Sequence, residues 1–195
     1  TIDKPREFSD SVLKYIEEQS VKQVFLVAYW SSYISGKNAQ ESRKLEREFS
    51  SSLSKTLARL RDLNVHVVLA REVPRFPWIV PRKRAALLLR GKSSDAAKIA
   101  KAKCEAATRR VSDLIDCCIT NVDDGSITTL DLRDIFDSGD EFLYAVYNGH
   151  SLLRDSHHLS IYGCSQLRPI FECVFESAKD RTMQTKNSEA DQYGT

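Results

Sequence analysis

At 195 residues and 42% hydrophobic, the chain has the length of one domain and enough apolar material for a substantial core. Its 29 Lys and Arg against 27 Asp and Glu leave a formal charge of +2, which gives no footing for nucleic acid as a partner. No apolar run approaches the roughly 18 residues of a membrane span, and no signal peptide is visible. The chain opens at Thr1 without a Met, which reads as a fragment or a processed piece. Its five cysteines show neither metal-ligand nor redox spacing, and the odd number argues against a complete disulfide framework.

Ser9 or Asp10 can cap a first helix reaching about Gln19, with Val12, Leu13 and Ile16 as its apolar stripe. Residues 21–29 follow as a continuous apolar run, Val24-Phe25-Leu26-Val27-Ala28 at its centre, and read as a buried parallel strand. Trp30 and Ser31 then stand at that strand's carboxyl end, where open α/β sheets place their ligand crevice. Trp30 reads equally as a wall of a site or as plain core. Over 41–63, Leu45, Phe49, Leu53, Leu57 and Leu60 recur at helical spacing. Residues 65–70 form the next buried strand, with His66 a packed or edge histidine within it.

A proline-containing connection over 71–78 leaves the second strand at its carboxyl end, so Glu72, Arg75 and Trp78 are candidate substrate contacts. Pro81-Arg82-Lys83-Arg84 is expected to be an ordinary basic surface patch. Ser93-Ser94-Asp95 is predicted to open a second long helix reaching about Cys117, on which Cys104, Cys117 and Cys118 would pack. A turn at Asp123-Asp124-Gly125 leads to a strand over 127–132, and residues 142–153 read as a hairpin around Asn148-Gly149. Ser160 can cap the last helix, whose stripe is Leu167, Ile170, Phe171, Val174 and Phe175. One domain over 1–178 is expected, and the polar residues 179–195 are expected to be a disordered tail. Strands alternating with long helices predict a three-layer α/β/α fold with a mostly parallel sheet.

The chemistry concentrates in Leu153-Arg154-Asp155-Ser156-His157-His158-Leu159-Ser160-Ile161-Tyr162-Gly163. A carboxylate three residues before an imidazole is close enough to accept a bond from one ring nitrogen. That bond fixes the tautomer, frees the other nitrogen to take a proton, and stabilises the imidazolium that results. Asp155 and His158 are therefore the candidate catalytic pair, the base and orienter of Ser-His-Asp chemistry. His157 is expected to be a solvated loop residue.

The string Asp-x-x-His-Leu-Ser-x-x-Gly over Asp155 to Gly163 resembles the last block of the SGNH hydrolases, above all the SGNH domains fused behind membrane O-acyltransferases of acyltransferase family 3. Val24-Phe25-Leu26-Val27-Ala28-Tyr29-Trp30-Ser31-Ser32-Tyr33 resembles a strand block of the same domains. The resemblance covers about residues 8–175. It implies a flavodoxin-like fold whose first strand is missing here, and it makes Asp155 and His158 the catalytic dyad. It also implies an acyl donor, a carbohydrate acceptor, an upstream membrane acyltransferase domain in the same polypeptide, and a place on the periplasmic or extracytoplasmic face of a membrane. No cofactor or metal is implied.

Two features depart from the family. A pair of cysteines that often brackets one segment there corresponds to Phe136 and Phe142 here, so the resemblance offers no disulfide. The family's Gly-Asp-Ser is also absent: Ser9-Asp10-Ser11 lacks a buried strand before it, and Asp124-Gly125-Ser126 has the wrong order. The nucleophilic serine is thus expected outside this chain, which alone would be nearly inert. Acyl transfer to a carbohydrate hydroxyl, with acetyl the usual group, is the leading expectation. An SGNH esterase and a non-catalytic carbohydrate-binding domain are the alternatives.

Overall fold

A computed structural model describes residues 4–93, 97–122, 124–137, 139 and 141–192. The elements in order are α1 (Lys4–Glu18), β1 (Gln23–Val27), α2 (Ala39–Asp62), β2 (His66–Ala70), α3 (Val80–Leu89), β3 (Lys98–Ala100), α4 (Lys101–Thr120), β4 (Ile127–Leu130), β5 (Phe142–Tyr144), β6 (Val146–Tyr147), β7 (His150–Ser151) and α5 (Ile161–Gln192). Single 3₁₀ turns occupy Trp30–Tyr33 and Asp134–Phe136. The chain divides into two compact units, residues 1–72 with 105–131 and residues 73–104 with 132–195.

In the first unit, β1, β2 and β4 form a parallel sheet with β2 in the middle, Gln23 opposite His66 and Val67 opposite Ile127. This is the parallel α/β architecture expected. The central strand is the most apolar, and Val67, Val68, Leu69 and Ala70 are all buried, as a strand with neighbours on both sides requires. Val67 and Leu69 share one core with Ile16 of α1, Leu53, Leu57 and Leu60 of α2, and Val111, Ile115 and Cys118 of α4. Among the described residues β1 pairs with β2 alone, and Val27 at its end is 59% exposed. His66, expected as a packed or edge histidine, is half-buried on the central strand, its Nε2 3.0 Å from the Thr128 hydroxyl on β4.

In the second unit, β3 pairs antiparallel with β5, and β6 with β7. The hairpin turn is Asn148-Gly149, both at positive φ (46° and 76°), which is the type I′ geometry that this dipeptide favours. The hairpin is shorter than predicted, because β5 turns instead to β3. The core holds Phe76, Val80, Leu87, Ile99, Phe136, Leu143, Leu152 and Leu153 among others.

Four expectations need correction. The helix predicted to begin at 93–95 starts at Lys101; Ser94 and Asp95 lie outside the described residues, as does Asp123 of the predicted turn. Lys98-Ile99-Ala100 is a strand because pairing with Phe142–Tyr144 buries Ala97 and Ile99, which outweighs the helix propensity of an Ala/Lys stretch. The basic cluster lies on an unpredicted helix, α3, with a proline in its first turn. On α5, Leu167 and Val174 are buried, but Phe175 of the predicted stripe is 51% exposed. Helical backbone continues along α5 to Gln192, through most of the expected tail.

The end of the Asp-x-x-His-Leu-Ser-x-x-Gly string has a purely architectural explanation. Ser160 caps α5, its hydroxyl accepting from the Gly163 N–H at 2.9 Å and donating to the Ser151 carbonyl at 2.6 Å. Gly163 packs so closely on the backbone of Leu152 that a Cβ there would overlap the Leu152 carbonyl oxygen, with Leu159 Cδ2 at 3.1 Å behind it. Gly163→Ala gains up to ~1 kcal/mol of helix propensity. It meets a backbone atom that no rotamer change can move, so overpacking of about 1–3 kcal/mol wins. We predict a melting temperature lower by several degrees, at roughly 2–4 °C per kcal/mol for a chain of this size; thermal unfolding followed by circular dichroism checks this.

Candidate functional site

The loop between β7 and α5 is shaped by Asp155. Its Oδ1 accepts the backbone N–H groups of His157 at 2.9 Å and His158 at 2.8 Å, a turn that the carboxylate builds on its own following residues. The Arg154 N–H donates to the His158 carbonyl at 2.9 Å and closes the loop. The other carboxylate oxygen, Oδ2, lies 2.7 Å from Nδ1 of His158. Asp155 and His158, singled out by their spacing, are thus in direct contact.

The electrostatics follow from this geometry. The N–H groups of His157 and then His158 hold the Asp155 carboxyl well below the usual aspartate range; burial opposes them in part, and the His158 ring adds a lesser push downward. An ionised carboxylate can only accept. The proton in the 2.7 Å contact therefore sits on Nδ1 of His158, which in the neutral ring leaves the lone pair on Nε2. The His158 side chain as a whole is 54% exposed.

His157 is not the solvated residue expected. Its side chain is only 25% exposed, its Nδ1 lies 2.9 Å from the Ser156 hydroxyl, and its ring centroid is 4.1 Å from that of His158. Asp155, His157 and His158 each offer a ligand atom within 4.8 Å of the others, the donor set of a metal site. A metal bound through His158 Nδ1 and Asp155 Oδ2 would displace the contact that orients His158.

Trp78 belongs to the same unit. The segment carrying it is stitched to the dyad loop by two backbone bonds, Phe76 N–H to the Ser156 carbonyl at 2.9 Å and Val80 N–H to the Asp155 carbonyl at 3.0 Å. Its ring packs against Phe76, with Lys83 Nζ 5.4 Å from its centroid. The indole N–H is buried and has no hydrogen-bond acceptor among the described residues.

Trp30, Ser31 and Glu72 lie in the first unit and are brought together there. Trp30 is buried, packs edge-on to Phe49, and donates its indole N–H to the Ala70 carbonyl at 2.8 Å. Packing accounts for this ring. Glu72 grips Ser31 with both oxygens: one accepts the Ser31 backbone N–H, the other the Ser31 hydroxyl at 2.5 Å. Glu72 thereby locks the 3₁₀ turn after β1 to the end of β2. Spacing alone could not reveal either the Ser31–Glu72 grip or the Ser156–His157 contact; Ser156 and His157 were visible only as polar neighbours of the dyad.

The family model described as "SGNH domain (fused to AT3 domains)" matches residues 3–172. Among solved structures, the periplasmic domain of the lipopolysaccharide acetyltransferase of Salmonella ser. Paratyphi A is similar with a TM-score of 0.53 at 13% identity, over 77% of this chain and 55% of that one. The likeness is one of fold, and the present chain spans about half of that chain's length. Among curated proteins, none matches.

A pH dependence follows from the Asp155 geometry. Because its folded-state pKa is depressed, its contribution to stability is fully present above the ordinary aspartate value of about 3.9 and is lost as the pH falls below it towards the folded value. Asp155→Asn is therefore less stable than the unmodified chain at neutral pH, and the gap narrows as the pH drops below about 4. Parallel denaturant titrations across that range check both the sign and the window.

Proposed function

This chain belongs to the SGNH domains that are fused to AT3 domains, and from that premise we propose that it is the SGNH portion of an O-acyltransferase acting on carbohydrate. A membrane acyltransferase domain lies upstream in the same polypeptide, and this portion works at the extracytoplasmic face. The observation that carries the reading is the 2.7 Å contact between His158 Nδ1 and a doubly anchored Asp155 carboxylate.

The reaction runs in two proton-balanced halves. His158 Nε2 takes the proton of a serine hydroxyl as that oxygen attacks the acyl carbonyl, and the imidazolium returns the proton to the departing donor. In the second half the same nitrogen deprotonates a sugar hydroxyl, which attacks the acyl-serine, and the serine recovers its proton from the ring. Asp155 stays ionised throughout, fixing the tautomer and balancing the charge on the ring. The serine comes from outside this chain. Two facts support that placement: no Gly-Asp-Ser occurs in the sequence, and the edge of β1 away from β2 is unoccupied among the described residues. An esterase would use the same geometry with water as acceptor; the fusion to AT3 domains favours transfer.

Trp78 is proposed as a contact to the acceptor, since a buried N–H without a partner is costly and a sugar oxygen would satisfy it. Ser31 and Glu72 are proposed to hold the loop after β1 in shape for substrate, with Trp30 as its packed base.

In the longer protein that carries the serine, His158→Ala is expected to lower acetyl transfer on the order of 10⁶-fold, and Asp155→Asn about 10⁴-fold. A His158→Ala protein with full activity would overturn the assignment. Trp78→Phe keeps the ring and removes the N–H. It is expected to raise the acceptor KM by roughly 2- to 12-fold with kcat little changed, as steady-state kinetics with varied acceptor will show.

A further inference from the structure

Between residues 73 and 93 every ionisable side chain is basic: Arg75, Arg82, Lys83, Arg84, Arg90 and Lys92, with no Asp or Glu among them. Taking these six from the totals leaves 23 Lys and Arg against 27 Asp and Glu elsewhere, so this stretch alone makes the chain cationic. Much of it is α3. Val80 and Leu87, seven residues apart, are buried and define the inward face of that helix. Arg82, Ala85, Ala86 and Leu89 follow the complementary spacing and are exposed.

The outward face is not simply polar. Leu89 is 88% exposed, Leu88 51% and Ile79 40%, and they stand among the cations. Among the described residues, no carboxylate lies within ion-pair distance of Arg82, Lys83, Arg84, Arg90 or Lys92. A ten-residue helix is far too short to cross a bilayer, but a basic helix with outward leucines has the composition of one that lies in a membrane surface.

We propose that α3 and its flanks dock this unit onto an anionic phospholipid surface, with Leu88 and Leu89 entering the acyl boundary and Arg82, Arg90 and Lys92 meeting the phosphates. A soluble polyanion would engage the cations and leave both leucines in water; a lipid interface engages both sets. Because Val80 donates to the Asp155 carbonyl at 3.0 Å, the docking helix begins at the dyad loop itself, and docking would hold that loop close to the lipid. The proposal uses the fusion to AT3 domains only as a reason for a membrane to be near; it does not depend on the reaction or on His158.

Cosedimentation of the purified chain with phosphatidylcholine vesicles, with and without phosphatidylglycerol, tests it. The chain is expected to pellet with the mixed vesicles, not with phosphatidylcholine alone, and to be released by high salt. Arg82→Glu with Arg90→Glu should weaken partitioning at least 20-fold, at about fivefold for each cation removed. Leu88→Ser with Leu89→Ser should weaken it at least about tenfold; circular dichroism melts confirm that both double variants are folded. Equal pelleting with both lipids, no pelleting with either, or an unaffected charge-reversal variant would overturn the proposal. Undiminished binding by the folded leucine variant would overturn it too, and would mark the face as a polyanion site.

Discussion

One carboxylate organises the region on which the functional reading depends. Asp155 spends one oxygen on two backbone N–H groups and the other on the His158 ring. The first pair of bonds bends the chain so that residues 155 and 158 face each other; the last uses that proximity to set the tautomer. Local folding and candidate chemistry are thus the same interaction. Whatever protonates or removes this carboxylate weakens both the anchor of the turn and the hold on the His158 ring.

The surroundings reinforce that geometry from both directions along the chain. Ahead of the loop, Leu152 and Leu153 are fully buried and pin its start in the core of the second unit. Behind it, Ser160 caps α5 and Gly163 allows the helix to lie against the Leu152 backbone. A single short string therefore holds a catalytic-type pair, a helix cap and a close-packed glycine, each for a different physical reason. That density of constraint explains why the string stands out in a sequence that otherwise reads as an ordinary α/β protein.

Legibility divided along the range of the interactions involved. The Asp155–His158 contact, the Ser160 cap and the Asn148-Gly149 turn depend on residues a few positions apart, and all three were readable. The parallel strands were readable because burial on two faces leaves a continuous apolar run, as in Val67-Val68-Leu69-Ala70. β3 was hidden because its partner, Phe142–Tyr144, lies some forty residues away, and Ala/Lys composition argues locally for helix. α3 escaped notice for a different reason: its leucines do not all point inward, so the usual amphipathic signal is blurred. The grip of Glu72 on Ser31 spans 41 residues and left no local trace. His157 looked like an idle neighbour, since only the folded loop reveals its packing on His158.

The reading of the molecule as half of an acyl-transfer site therefore comes down to where one proton sits on one ring. Long-range ¹H–¹⁵N correlation spectra of the histidine side chains at neutral pH measure this directly, with His158→Gln identifying the signal. The account predicts neutral His158 held in the Nδ1–H form, with an unprotonated Nε2, and loss of that preference in Asp155→Asn. A His158 ring in the Nε2–H tautomer, or one indifferent to the loss of the Asp155 carboxylate, would contradict it.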